Sequence, residues 1–90
     1  MYTYEFRKSL EKDFLKLAKK KPQQLLAIEK KIKEIISCEN VDHYKNLKSP
    51  MQHLKRVHID NRSFVLVFSV DEANKHIIFE DFDHHDKIYQ

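Results

Sequence analysis

Glycine is absent from all 90 residues. Without it the chain cannot build a glycine-rich phosphate loop or a dinucleotide-binding turn, whose backbones must come close to a phosphate. Cys38 is the only cysteine, which excludes an internal disulfide framework and fits a reducing compartment. Tryptophan is missing too. No apolar run approaches the roughly 20 residues of a membrane-spanning helix, and Met1-Tyr2-Thr3-Tyr4-Glu5-Phe6 does not have the design of a signal peptide. The expectation is a cytoplasmic protein with no membrane partner. There are no internal repeats, no low-complexity stretches and no linker.

What remains is enough for one small core. Apolar residues make up 41% and charged residues 34% of the chain, so disorder is not expected. Residues 1–90 read as a single domain, near the lower end of what folds without metal or disulfides. The formal charge of +3 is small, but it is unevenly spread. From Arg7 to Glu34 there are ten Lys or Arg against four acids, whereas from Ser37 to Gln90 there are seven against nine. The asymmetry fits an anionic partner for one end of the molecule, or lysines that only solubilise two exposed helices. The acids Asp81, Asp83 and Asp86 would suit a basic partner.

Periodicity gives the elements. Tyr2, Tyr4 and Phe6 alternate with polar residues, the pattern of a half-buried strand. Phe6, Leu10, Phe14 and Leu17 then recur every three or four residues with lysines opposite, predicting an amphipathic helix over Ser9 to Lys20. Lys21-Pro22 breaks it. A second helix, Gln23 to Ser37, carries the stripe Leu25, Ile28, Ile32, Ile35 and Ile36, with Leu26 at its edge. The short connection forces a tight antiparallel hairpin, whose apolar side must rest on a sheet. Cys38 to Pro50 reads as a loop with one helical turn, anchored by Leu47. Strands follow at His53 to Ile59, at Phe64 to Val70 (apolar on both faces, hence central) and at His76 to Asp83. Asp60-Asn61-Arg62 and Asp71 to Lys75 form the turns. The prediction is an α+β fold, a two-helix hairpin packed on a four-stranded mainly antiparallel sheet of order β-α-α-β-β-β. The first strand lies beside the fourth, so the sheet order is 1-4-3-2.

With Val57 and Ile59 toward the helices, Arg56 and His58 project from the uncovered face, about 7 Å apart by strand rise. Lys55 breaks the clean split and can snorkel past the sheet edge. Lys45, Lys48 and Arg62 add charge around this face, which then suits a phosphate backbone. The plainer alternative gives Arg56 and His58 ordinary surface contacts. The ending Asp83-His84-His85-Asp86-Lys87-Ile88-Tyr89 adds chemistry. Cleaving RNA through its 2′-hydroxyl needs a base, an acid for the leaving oxygen and positive charge at the phosphorane. Imidazoles serve as acid or base near neutral pH, and Arg56 offers a fixed fork. Asp86 could orient a histidine, and Tyr89 could stack on a base or donate a proton. Otherwise His84 and His85 are solvent-exposed histidines at a frayed end. Six histidines and one cysteine also raise the question of a metal. No pair has the short spacing of a structural zinc site, and adjacent His84 and His85 rarely share one ion. Neither a metal nor a cofactor is expected.

The chain resembles the RelE/ParE superfamily of small toxins from type II toxin–antitoxin systems, and most of all its RelE and YafQ-like branch. The resemblance runs through Tyr4-Glu5-Phe6, Lys12-Asp13-Phe14-Leu15-Lys16-Leu17, Lys45-Asn46-Leu47-Lys48, Arg56-Val57-His58-Ile59, the run Phe64 to Val70 and the ending Asp83 to Tyr89. It implies a ribosome-dependent messenger-RNA endoribonuclease that cuts the codon in the A site of a 70S-type ribosome, against ribosomal RNA. A cognate antitoxin would neutralise it. By this pattern His58 matches an active-site histidine of the second strand, His85 the catalytic histidine near the C-terminus, and Tyr89 the aromatic residue four positions later. Lys45 stands where that branch has another histidine, for which His43 is the nearby substitute. Arg62 or Ser63 stands near a position that is acidic there. The expected catalytic set is His85, His58, Tyr89, Arg56, His84 and Asp86. Lys45, Lys48, Lys55, Arg62 and His43 are expected to hold phosphates. The alternatives are a ParE-like inhibitor of DNA gyrase and a non-catalytic protein-binding member of the same fold.

Overall fold

The structure, a computed structural model, describes residues 1–59 and 63–88, with His85 and Asp86 described by their backbone alone. Its elements run β1 (Thr3–Phe6), α1 (Lys8–Lys20), α2 (Pro22–Ile36), a 3-10 turn (Val41–His43), β2 (Lys55–Ile59), β3 (Phe64–Asp71), β4 (His76–His84) and α3 (His85–Ile88). The sheet order is β1-β4-β3-β2. β1 runs parallel to β4, with Thr3 opposite His76 and Phe6 opposite Phe79, while β2–β3 and β3–β4 are antiparallel. The predicted fold and strand order hold. The predicted turn Asp60-Asn61-Arg62 lies outside the described residues.

One residue, Lys21, separates the helices, and its N–H donates back to the Leu17 carbonyl at 2.7 Å. Pro22 at the start of α2 sacrifices no helical hydrogen bond, because first-turn N–H groups have no partner within the helix. The hairpin reverses the chain, and the N–H of Tyr2 donates to the Ile36 carbonyl at 2.8 Å, tying the end of α2 to the start of β1. Leu10, Ile28, Ile32 and Ile35 from the helices meet Ile59, Leu66, Phe68, Ile77 and Phe79 from the sheet. All are buried. With no glycine available, the β3–β4 turn takes its left-handed residue from Lys75, at φ 51°, a conformation that costs a residue with a Cβ about 1 kcal/mol or more. Around that turn Asp71 accepts from the backbone and side-chain amides of Asn74, which pulls the Asp71 carboxyl below its ordinary value.

The face away from the helices is not bare. Leu47, Val65 and Val67 form a separate small cluster, joined by the half-buried Leu54 and Ile88. Leu47 anchors its loop as expected, and it does so on this side. The segment leading to it also extends the sheet edge: Lys45 accepts from the Arg56 N–H at 2.9 Å, and the Leu47 N–H donates to Leu54 at 2.9 Å. Ile88 belongs to α3, which therefore folds back onto β3 and β4. The last strand does not end the protein, as the sequence reading had assumed. A turn of helix follows it and covers part of the open face.

Candidate active site

Register fixes which residues share the open face. Arg56 is opposite Val67 and His58 opposite Val65 on β3; Val67 is opposite Asp81 and Val65 opposite Asp83 on β4. Directly opposed residues lie on the same side of a sheet. The face therefore carries two rows, Arg56–Val67–Asp81 and His58–Val65–Asp83, with the buried valines between the cationic and the acidic ends. Ile59 and the half-buried Val57 pack in the helix-side core, so the predicted split of β2 is correct. Arg56 and His58 are both half-buried, and both have interaction partners.

A β-bulge decides the rest. Phe68 pairs with Phe79 but Val67 pairs with Asp81, so Glu80 is an extra residue in β4. Because side chains alternate strictly along a strand, one inserted residue inverts the facing of everything after it. Phe82 thereby joins the core, Asp81 and Asp83 turn to the open face, and His84 goes to the helix side. There its ring meets Phe64 edge-on at 5.5 Å. The placement of His84 with the catalytic residues is thus corrected, since it lies across the sheet from Arg56 and His58. The signal was present in the sequence. Ile77, Phe79 and Phe82 are spaced two and then three apart, and that change of phase marks a bulge.

Glu80 is pinned at the bulge. Arg7 Nε donates to its Oε1 at 2.7 Å and Ser69 Oγ to its Oε2 at 2.7 Å. Burial alone would raise its pKa, but these two hydrogen bonds and the Arg7 charge prevail and hold the carboxyl below its usual value. Its neighbour Asp81 goes the other way. The surrounding protein raises its pKa and the charges of Asp83 and Asp13 add to this, against a hydrogen bond from the Phe82 N–H, although the residue keeps contact with solvent. Glu80 and Asp81 line a cavity of about 230 Å³ with Leu54, Val67, Lys87 and Ile88. α3 thus closes over the acidic end of the open face.

The remaining expected residues divide. Lys45 sits beside β2, its carbonyl bonded to the Arg56 N–H, and Lys48 is exposed in the following turn. Lys55 is not available to a phosphate in this arrangement. It opposes Phe68 on the helix side, and its Nζ reaches past the sheet edge to the Tyr44 carbonyl and the Asn46 Oδ1, both at 3.3 Å. The expected snorkelling occurs, toward the loop. His43 is likewise engaged away from the open face. Its Nδ1 lies 2.8 Å from the Asn40 carbonyl, and its ring lies against Tyr44, which packs on Phe68. The backbones of His85 and Asp86 open α3. Their side chains lie outside the described residues, as do Arg62 and Tyr89. Among the described residues no three His, Cys, Asp or Glu side chains converge as metal ligands, and no helix is long and apolar enough to cross a membrane.

Comparison with known proteins gives this geometry a context. No family model matches the chain. A protein of Methanocaldococcus jannaschii that bears the name of a RelE toxin, RelE4, is 56% identical over 90 residues, covering 100% of this chain and 93% of its own. Among solved structures, YafQ of Escherichia coli matches over 100% of both chains with a TM-score of 0.74 at 16% identity. The YoeB–YefM complex of Staphylococcus aureus matches over 94% of this chain and 98% of that one, with a TM-score of 0.74 at 19% identity. The structural matches establish the fold, and the sequence match establishes the lineage. The chain belongs to the RelE family of toxins.

Proposed function

We propose that this toxin is a ribosome-dependent endoribonuclease that cuts translated messenger RNA by attack of a 2′-hydroxyl on the adjacent phosphate, and that a cognate antitoxin neutralises it. The observation that carries this reading is the convergence on one face of Arg56, His58 and the returning helix α3. A guanidinium and an imidazole two residues apart on a strand stand about 7 Å from each other, a span that one phosphodiester can bridge. Arg56 supplies the fork for the non-bridging oxygens as charge builds up. His58 and His85 divide the work of base and acid, Asp86 orients an imidazole, and Tyr89 stacks on the base next to the cut. Lys45 and Lys48, at the β2 edge, and Arg62 hold the flanking phosphates. With so few catalytic groups the enzyme relies on ribosomal RNA to align the attacking oxygen. The antitoxin is supported by the match to YoeB, which was solved in complex with YefM.

The test is to induce the protein without its antitoxin and map 5′ ends in ribosome-bound messages. Codon-aligned cuts are expected from the wild type, with loss of cutting in His85→Ala and a strong reduction in Tyr89→Phe. Growth arrest with intact messages and damaged DNA would overturn the ribonuclease reading in favour of gyrase inhibition.

A further inference from the structure

A second cleft, of about 330 Å³, opens on the helix side between the α1–α2 junction and the start of β3. Lys16, Lys20, Lys21 and Gln24 wall it, and Phe64 and Phe82 form its floor. The two phenyl rings stack at 5.4 Å with planes 13° apart, and Lys21 Nζ lies 5.9 Å from the centre of the Phe64 ring. α2 begins here with no acidic residue in its first turn and no side-chain cap, so the positive end of its dipole adds to the three lysines. None of these groups belongs to the face that carries Arg56 and His58.

We infer that this cleft is a second RNA site, taking one single-stranded nucleotide with its phosphate on Lys16, Lys20 and Lys21 and its base against Phe64. The inference rests on the proposed ribonuclease reading for the identity of the polymer. Lysines beside an aromatic face are what a single-stranded nucleic acid needs, with charge for the backbone and a π-surface for the base. Cation–π contact already orders one of those lysines over the ring. The acids on the rim choose between partners. Asp13 and Asp83 line the cleft too; they would repel the carboxylates of an acidic protein segment, yet they can accept hydrogen bonds from the exocyclic amines of a base. Position supports the same assignment. Phe64 is adjacent on β3 to Val65, which opposes His58, so cleft and catalytic row lie back to back at one end of the sheet. An RNA strand leaving the open face around that end meets the cleft next, and the contact would hold the flank of a message that is being cut.

The experiment measures anisotropy of a fluorescein-labelled oligouridylate of about twelve nucleotides, within the usual site sizes for single strands, on the purified full chain carrying His85→Ala to prevent cleavage. Replacing Lys16, Lys20 and Lys21 together by Gln should weaken binding at least tenfold near 0.1 M salt. The slope of log affinity against log salt should fall by about 2, at about 0.7 per lost phosphate contact. Phe64→Leu should weaken binding fivefold or more and leave the slope unchanged, its folding being checked by thermal melting; the lysine variant changes only exposed side chains. Unchanged affinity and slope in the lysine variant would overturn the inference. So would polyglutamate displacing the RNA from these lysines at equal charge concentration, which would assign the cleft to an acidic protein. The ribonuclease reading fails separately, if ribosomes are still cut by the His85→Ala chain whatever the cleft variants do.

Discussion

Ile88 is the one residue through which α3 enters the apolar cluster of the open face, so Ile88→Ala tests whether the docked helix matters. A helix of four residues has no stability of its own, and its position must come from tertiary contact. Complete removal of a buried Ile side chain costs about 2–5 kcal/mol. Ile88 is half-buried, so about 1–2 kcal/mol of docking is lost, a five- to thirtyfold shift toward the undocked helix. If α3 carries His85 and Tyr89 to Arg56 and His58, ribosome-dependent cleavage should fall by up to that factor, and the loss should appear in the turnover rate. The lysines that bind RNA are untouched, so KM should change little. Global stability should fall by no more than the helix's own docking energy, because α3 rests only on β3 and β4 and opens below the global unfolding threshold. Cleavage rate, melting temperature and proteolysis at the C-terminus are the measurements, with Ile88→Val as the conservative control. Full activity in Ile88→Ala with a newly protease-sensitive C-terminus would refute the reasoning, since the helix would then be undocked and unnecessary. A fall in melting temperature as large as that of a core substitution would refute it from the other side.

The two carboxyls at the bulge should give opposite acid responses. Glu80 titrates below its ordinary value, so its contribution is present above the unfolded-state carboxylate range and is lost as pH falls through its lowered folded value. Glu80→Gln should cost about 1 kcal/mol near neutral pH, after discounting for the exposed Arg7, and nothing in strong acid; urea unfolding at both pH values measures this. Asp81 titrates above its ordinary value, so the folded protein favours its protonated form and loses stability as pH rises through that range. Asp81→Asn should therefore raise the neutral-pH denaturation midpoint. In α2, Ile28 is fully buried while Leu26 is 58% exposed. Ile28→Ala should lose about 2–5 kcal/mol, a large share of a typical 5–15 kcal/mol total, and Leu26→Ala should stay within about 0.5 kcal/mol.

The helix side was legible because its signals repeat. Leu10, Phe14 and Leu17, then Ile28, Ile32 and Ile35, hold one period for several turns, and a single residue between the helices leaves one way to join them. The parallel pairing of β1 with β4 follows from that reversal and from a third strand apolar on both faces. What failed to show were single, unrepeated events. The extra residue at Glu80 inverted the facing of His84, and a strict alternation carried through it would have kept His84 on the open side. α3 is too short to declare a period, and only the apolar patch waiting at Leu47, Val65 and Val67 gives it a place. Lys55 reads as one more cation in a basic strand, and its partners, Tyr44 and Asn46, come from a loop whose path no periodicity sets.

The two sides of the sheet therefore perform different tasks. Against the helices lie Phe68, Phe79 and most of the large buried side chains, in a contiguous core that can hold the strands by itself. On the other side only three small or medium residues are fully covered, and the rest of that surface is left to charged and titratable groups. Burying a charge is expensive unless it is paired, so a site that needs Arg56, His58 and two aspartates within a few strands' width must sit where little stability depends on dry packing. The thin cluster beneath α3 meets that condition. It holds the C-terminal helix in place weakly enough that an antitoxin or a ribosome, either of which binds over a far larger area, can reposition it at a cost of about 1–2 kcal/mol.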